Sequence, residues 1–376
     1  MKVYLRIILY PVVLFLLFLR YSPLPIVRPV ARFLPDFIIE NFRPEARAIT
    51  TVTSYPPEAV KLVMPQSKWL NVREKQRKLV SKFKYESLRA EQDIVQLNDL
   101  YFLRAGGDFL ATYHRRNHEI LILSPELKVV KMWPMQLRNG VKIDAPIDLA
   151  IKDEEIYAID RAGLVASWNL NGVEQSHFTA PFNARDIDIF ENGDFLMHHT
   201  GNLPWLLSRV DADGVLKSRF APHAIQDSTE ARFMLHSILA IDRSNDLICL
   251  AYKSPYKLFF YNTVGKPLTA LEIVPNFQVA EPIVTRKDKE ITQVGYQKVI
   301  FEVEWHDGLL WALVSSEMGK APQWLETYNV AGEFLQRFAL LDGVSRFAFL
   351  QNRLVVLGYA PNFRIESYDI TPLDAH

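Results

Sequence analysis

From Asp93 onward, short apolar runs are separated by turn signals such as Asn169-Leu-Asn-Gly172, Glu191-Asn-Gly-Asp194 and Asp211-Ala-Asp-Gly214, and the period is strand-like throughout. The runs fall into units. First runs are Asp99-Leu-Tyr-Phe-Leu103, Asp148-Leu-Ala-Ile151, Asp186-Ile-Asp-Ile-Phe190, Ser237-Ile-Leu-Ala-Ile241, Phe301-Glu-Val-Glu-Trp305 and Arg346-Phe-Ala-Phe349. After a tight turn each is followed by a second run, for example Glu155-Ile-Tyr-Ala-Ile159 or Leu309-Leu-Trp-Ala-Leu-Val314. Third runs such as Leu164-Val-Ala-Ser-Trp-Asn-Leu-Asn-Gly172 end in a further turn, and a fourth run usually completes the unit.

Six units of four strands, each about 40 to 50 residues, predict an all-β chain folded as a six-bladed β-propeller over residues 93–372, because each small sheet must stack on its neighbours to bury both faces. The last unit ends after Phe363-Arg-Ile-Glu-Ser-Tyr-Asp369. Its outer strand must come from upstream, and Ala59-Val-Lys-Leu-Val63 is the expected donor, closing the ring and removing open edges.

The pattern before Asp93 is different. Lys2 and Arg6 precede an apolar run from Ile7 to Leu19, and no small-x-small cleavage site follows, so residues 1–27 read as an uncleaved signal anchor or transmembrane segment. Six prolines between residues 28 and 66 predict an extended connector. Within 67–92, Trp69, Val72, Leu79, Val80 and Phe83 recur at helical spacing with Arg73, Arg77, Lys78, Lys82 and Lys84 around them, which predicts a basic amphipathic helix. Such a helix either meets anionic lipid headgroups or packs on the body.

Charge sharpens this division. The 376 residues carry 43 basic and 43 acidic side chains, yet residues 1–92 hold 16 and 7 while residues 93–376 hold 27 and 36. A basic arm is joined to an acidic body, and the absence of an overall basic excess argues against a nucleic-acid partner. The hydrophobic content of 49% excludes a disordered chain. Cys249 lies in the apolar run Asp246-Leu-Ile-Cys-Leu-Ala-Tyr252 and is expected to be a buried structural thiol. The anchor predicts an extracytoplasmic propeller, periplasmic or extracellular.

The segment Pro146-Ile-Asp-Leu-Ala-Ile-Lys-Asp-Glu-Glu-Ile-Tyr-Ala-Ile-Asp160, continuing to Trp168-Asn-Leu-Asn-Gly172, resembles one blade of a six-bladed propeller of the NHL-repeat or TolB-like type, and residues 93–372 resemble that superfamily in repeat pattern. The resemblance implies the fold and permits several functions, since sugar lactonases, arylsulfotransferases, receptor ligand-binding modules and scaffolds share it.

In a propeller the turns between first and second strands and between third and fourth lie on one face, and the remaining loops on the other. Here the first kind are all short, whereas the long insertions Pro134–Ala145, His198–Pro204, Ala221–Leu235, Val274–Lys298 and Ser315–Gln323 all belong to the second. The site is therefore expected on the long-loop face. Its loops bring His114, Arg115, Arg116, His118, Arg161, His198, His199, Trp205, Lys253, Tyr256, Lys257, Lys320, Trp324, Tyr359 and Arg364, a basic and aromatic rim suited to a protein partner or to an anionic or aromatic ligand.

Asp99, Asp148 and Asp186 begin three first strands. They either hold a divalent cation such as calcium, as the lactonase resemblance implies, or cap backbone amides; otherwise no cofactor is expected. His198 and His199 are adjacent on a strand and so face opposite ways. Arylsulfotransferase-type propellers place a catalytic histidine near a motif like Asp186-Ile-Asp-Ile-Phe-Glu-Asn-Gly-Asp194, but Arg185 stands at the preceding position here. The sequence thus favours a membrane-anchored recognition or scaffold module, with a propeller hydrolase or transferase as the alternative.

Overall fold

The computed structural model describes residues 100–369, less scattered loop positions of which 223–236 is the longest run, together with the earlier strand residues 50–51, 60–63, 81–85, 87–89 and 94–96. The expected anchor 1–27 lies outside the described residues, among which no helix is long and apolar enough to cross a membrane.

Six sheets, each built on four antiparallel strands and two of them with a fifth strand at the edge, make up the ring. Blade 1 comprises Arg104–Gly106, Phe109–His114, Glu119–Leu123 and Val129–Pro134; blade 2 comprises Pro146–Lys152, Glu155–Asp160, Leu164–Asn169 and Glu174–Thr179. Blade 3 contains Ala184–Ile189, Phe195–His199, Trp205–Val210 and Leu216–Pro222, and blade 4 Ser237–Asp242, Leu247–Tyr252, Lys257–Asn262 and Pro267–Val274. Blade 5 is Ile300–His306, Leu309–Val314, Trp324–Tyr328 and Phe334–Ala339, and blade 6 uses Val344–Leu350, Arg353–Gly358 and Arg364–Asp369 from the C-terminal end. The first strands neighbour one another in order, and that of blade 6 meets that of blade 1, so the ring is closed.

Closure differs from the expectation. The fourth strand of blade 6 is Ser81–Tyr85, antiparallel to Arg364–Asp369, whereas Val60–Val63 runs parallel to Pro267–Val274 as a fifth strand on the edge of blade 4. Of the expected amphipathic helix 67–92, the described residues Ser81–Tyr85 and Ser87–Arg89 are strands, and 67–80 lies outside the described residues. The segment Ser81-Lys-Phe-Lys-Tyr85 also alternates with period two, and an unpaired strand edge offers its amides more hydrogen bonds than an isolated helical turn.

The core sits between blades. Ile151, Ile156 and Trp168 of blade 2 pack with Tyr113, Ile120 and Trp133 of blade 1, and comparable buried clusters join blades 3 and 4, 4 and 5, 5 and 6, and 6 and 1. Turns between third and fourth strands repeat one device. The side-chain oxygen of Asn169 accepts the amides of Asn171 and Val173, both at 3.0 Å, and Gly172 follows at φ 75°. Asp211, Asn262 and Asn329 do the same before Gly214, Gly265 and Gly332. These glycines also lie against the preceding blade, on Trp133, Phe178, Phe220 and Leu271 respectively.

Candidate functional site

First strands of neighbouring blades splay around the axis instead of forming a ladder, so their inward amides need other acceptors. Carboxylates supply them. Asp148 of blade 2 accepts the amide of Ile187 in blade 3 at 3.0 Å, Asp186 accepts that of Leu239 in blade 4 at 3.3 Å, and Glu302 accepts that of Phe347 in blade 6 at 3.3 Å. One step further along the same strands, Asp188 accepts from Ile241 at 3.0 Å and Glu304 from Phe349 at 3.4 Å.

The level nearest the long loops gathers charge from every side of the ring. Arg104 donates through Nη2 to Asp148 at 2.9 Å, through Nε to the carbonyl of Leu149 at 2.9 Å, and through Nη1 to Glu302. Arg346 brings Nε to 3.9 Å from Glu302 and donates Nη1 to the carbonyl of Ser345. Lys253 follows the second strand of blade 4, and Lys298 precedes the first strand of blade 5 with its ammonium 3.9 Å from the Phe301 ring centroid. The amide of Val299 bonds the carbonyl of Lys253 at 2.7 Å, which fixes the two lysine segments side by side.

Crowding of like charge away from water shifts these groups. Burial first, then the charges of Lys253 and Arg346, push the Lys298 ammonium down to about 6. Burial also lowers Lys253 against the pull of Asp186. The Asp186 carboxyl is raised by burial and by Asp148 beside it, to which it hydrogen-bonds. Glu304, one level deeper, is pushed up to about 8 by burial.

The expected rim residues separate into those that reach the mouth and those that do not. Arg115 and Arg346 each lie 5.8 Å from the ring of Tyr101, and Tyr359 donates to the carbonyl of Leu100 at 2.8 Å, so this sector stands at the mouth beside blades 1 and 6. Arg116 and Arg161 are exposed. Lys257 pairs with Glu272 at 3.2 Å within blade 4. His114 is buried and accepts the amide of Asn117 at 3.3 Å, and Nδ1 of His118 meets the hydroxyl of Tyr113 at 3.0 Å.

Five expected rim residues, Tyr256, Trp324, His198, His199 and Trp205, are structural in their contacts. Tyr256 is buried and donates to Glu326 beside Tyr328, and Arg337 bonds the same carboxylate beneath Trp324. His198 and His199 are both buried and diverge, His198 to Ser237 of blade 4 at 2.6 Å and His199 to Ser208 at 2.5 Å. Trp205 stacks on Arg219, whose guanidinium carbon lies 4.2 Å from its ring centroid. Asp99 and Lys320 lie outside the described residues, and Arg364 is described only as a strand position.

Asp148 and Asp186 lie close together, and Arg104 donates to Asp148 at 2.9 Å. Among the described residues no group of three or more His, Cys, Asp or Glu side chains is placed to hold a metal ion. Arg104, Lys298, Glu302 and Arg346 were not singled out from the sequence. The available signal was their place in the repeat, since Asp148, Asp186, Glu302 and Arg346 occupy equivalent positions in four blades. A cleft of about 230 Å³ on the opposite face, lined by Phe190, Arg209, Ile241 and Arg243, carries less, because Arg209 is held by Asp194 at 2.6 Å and Arg243 by Asp188 at 3.1 Å.

The architecture has counterparts among solved structures. A Bacteroides fragilis protein assigned as exported superposes with a TM-score of 0.56 at 9% identity, over 86% of this chain and 99% of that one. The fold is a six-bladed β-propeller. BamB from Moraxella catarrhalis scores 0.46 at 9% identity over 78% of this chain and 100% of its own. In sequence, no family model and no curated protein matches the propeller chain. The Bacteroides likeness agrees with the fold alone and leaves the NHL or TolB subtype unassigned.

Proposed function

We propose that this propeller is a recognition module that receives a ligand or a protein partner on its long-loop face, at the mouth of the central channel. The observation that carries this reading is the half-buried convergence of Arg104, Lys253, Lys298 and Arg346 from four blades, where Asp148 and Glu302 are already occupied by Arg104 and by backbone amides. A polar, charged concavity held by a rigid ring is suited to selecting a complementary group. The apolar run Ile7–Leu19 supports a membrane tether, and a short N-terminal anchor that leaves its tail in the cytoplasm would put the propeller on the extracytoplasmic side. The alternative as a hydrolase or transferase has less behind it, because His198 and His199 reach different serines in different directions.

Photo-crosslinking tests the reading. A photoreactive residue placed at exposed Arg116 or Arg161 on the long-loop face should give discrete adducts in cells. The same residue at Asn171 or Asp213 on the short-turn face should give none. Adducts confined to the short-turn face would overturn the assignment.

A further inference from the structure

We propose that the channel mouth is an oxyanion site, in which a small carboxylate or phosphate compound binds between Lys253, Lys298 and Arg346. This rests on the reading of the long-loop face as the binding face and names the chemistry it takes.

The inference comes from which charges are already matched. Asp148 is engaged by Arg104 and the Ile187 amide, and Glu302 by Arg104 and the Phe347 amide. Asp186 is turned to Asp148 and the Leu239 amide. Among the described residues neither lysine has a carboxylate within ion-pair distance. Lys298 rests on the face of Phe301, and Arg346 reaches Glu302 only at 3.9 Å. Two ammonium groups and one guanidinium are thus brought together, half-buried, by the bond between Val299 and Lys253 and by the packing of blade 6 on blade 5. Side chains that repel one another in a partly dry site are stabilised together by one anion, through charge-assisted hydrogen bonds to each. Tyr101, 40% exposed beside Arg346, and Tyr359 border the same opening.

An anion there raises the proton affinity of both lysines, which face Asp148, Asp186, Glu302, Arg346 and Phe301 and are otherwise depressed. Binding should therefore take up protons and weaken as pH rises from 6 to 8.5.

The experiment uses the full chain in detergent, with inorganic phosphate and succinate as probes and sodium chloride holding ionic strength constant. Thermal unfolding should show a saturable rise in Tm with at least one probe. Calorimetry in buffers of different ionisation enthalpy should show proton uptake. Phosphate alone shifting the midpoint marks a phosphoryl ligand, and succinate alone a carboxylate. The double variant K253M/K298M keeps the apolar stems and removes two poorly solvated charges, so it should fold, and its affinity should fall at least tenfold. K266M, in an exposed turn on the short-turn face, should bind as the parent does. No saturable shift with either probe, or an undiminished shift in K253M/K298M, overturns the proposal. Adducts from Arg116 and Arg161 alongside an absent shift would reject the oxyanion site and leave the recognition reading standing; a shift without adducts would keep the oxyanion site and remove the protein partner from that reading.

Discussion

Arg104 of blade 1 donates to Asp148 of blade 2 at 2.9 Å and, across the channel, to Glu302 of blade 5, so one guanidinium ties three blades at the mouth. Replacing it with Met leaves two nearly buried carboxylates without their cation. Its side chain is 25% exposed, so the loss is moderated by water, and R104M should cost about 2–3 kcal/mol. Urea unfolding at neutral pH measures it. A stability equal to the parent's would show that the pair contributes nothing net.

His199 is buried, bonded to Ser208, and pushed down to about 3, burial being the first cause and Arg219 the second. The folded protein keeps this imidazole neutral while the unfolded chain protonates near 6.5, so stability is full above pH 6.5 and is lost as pH falls towards 3. The loss from this one group should reach about 2 kcal/mol at pH 5. H199Q should flatten the slope of the urea midpoint between pH 7.5 and pH 5.

Glu304 has the opposite sign. Its carboxyl is pushed up to about 8, so between about 4.5 and 8 the unfolded state ionises first and folding is increasingly disfavoured as pH rises. E304Q retains an acceptor for the Phe349 amide and should be more stable than the parent at pH 9, by about 2 kcal/mol or more, with the difference vanishing near pH 4. A pH-independent difference would assign the effect to packing.

A Cβ on Gly172 would come within 2.6 Å of the Trp133 ring, and φ there is 75°. G172A should therefore destabilise by about 1–3 kcal/mol. The contact part should shrink in a W133A background while the backbone part remains, so a double-mutant cycle separates them.

Cys249 is fully buried, and burial alone raises its thiol well above the ordinary range. A thiol reagent should label it only as fast as the chain unfolds, and labelling within seconds in native buffer would contradict that packing.

Much of the ring could be read from the chain because its signals are local. Alternation within Glu155-Ile-Tyr-Ala-Ile159 and the Asn169-Leu-Asn-Gly172 turn require no distant partner to be recognised. The divergence of His198 and His199 followed from strand period alone. Where helix and strand patterns coexisted, as in Ser81-Lys-Phe-Lys-Tyr85, the vacant edge of blade 6 decided, and that edge is more than 270 residues away in sequence.

The amino-acid order by itself determined most strands from Asp108 onward, their grouping into six blades and the face that carries the long loops, since each depends on periodicity and turn chemistry within a few tens of residues. Only the tertiary structure decided the use of the charges. Closing the ring brings Arg104, Lys253, Lys298 and Arg346 to one mouth, turns Asp148 and Asp186 to backbone amides and Arg104, and buries Tyr256 against Glu326. Such pairings depend on distances between blades, and electrostatic energies fall with distance in space, whatever the separation along the chain.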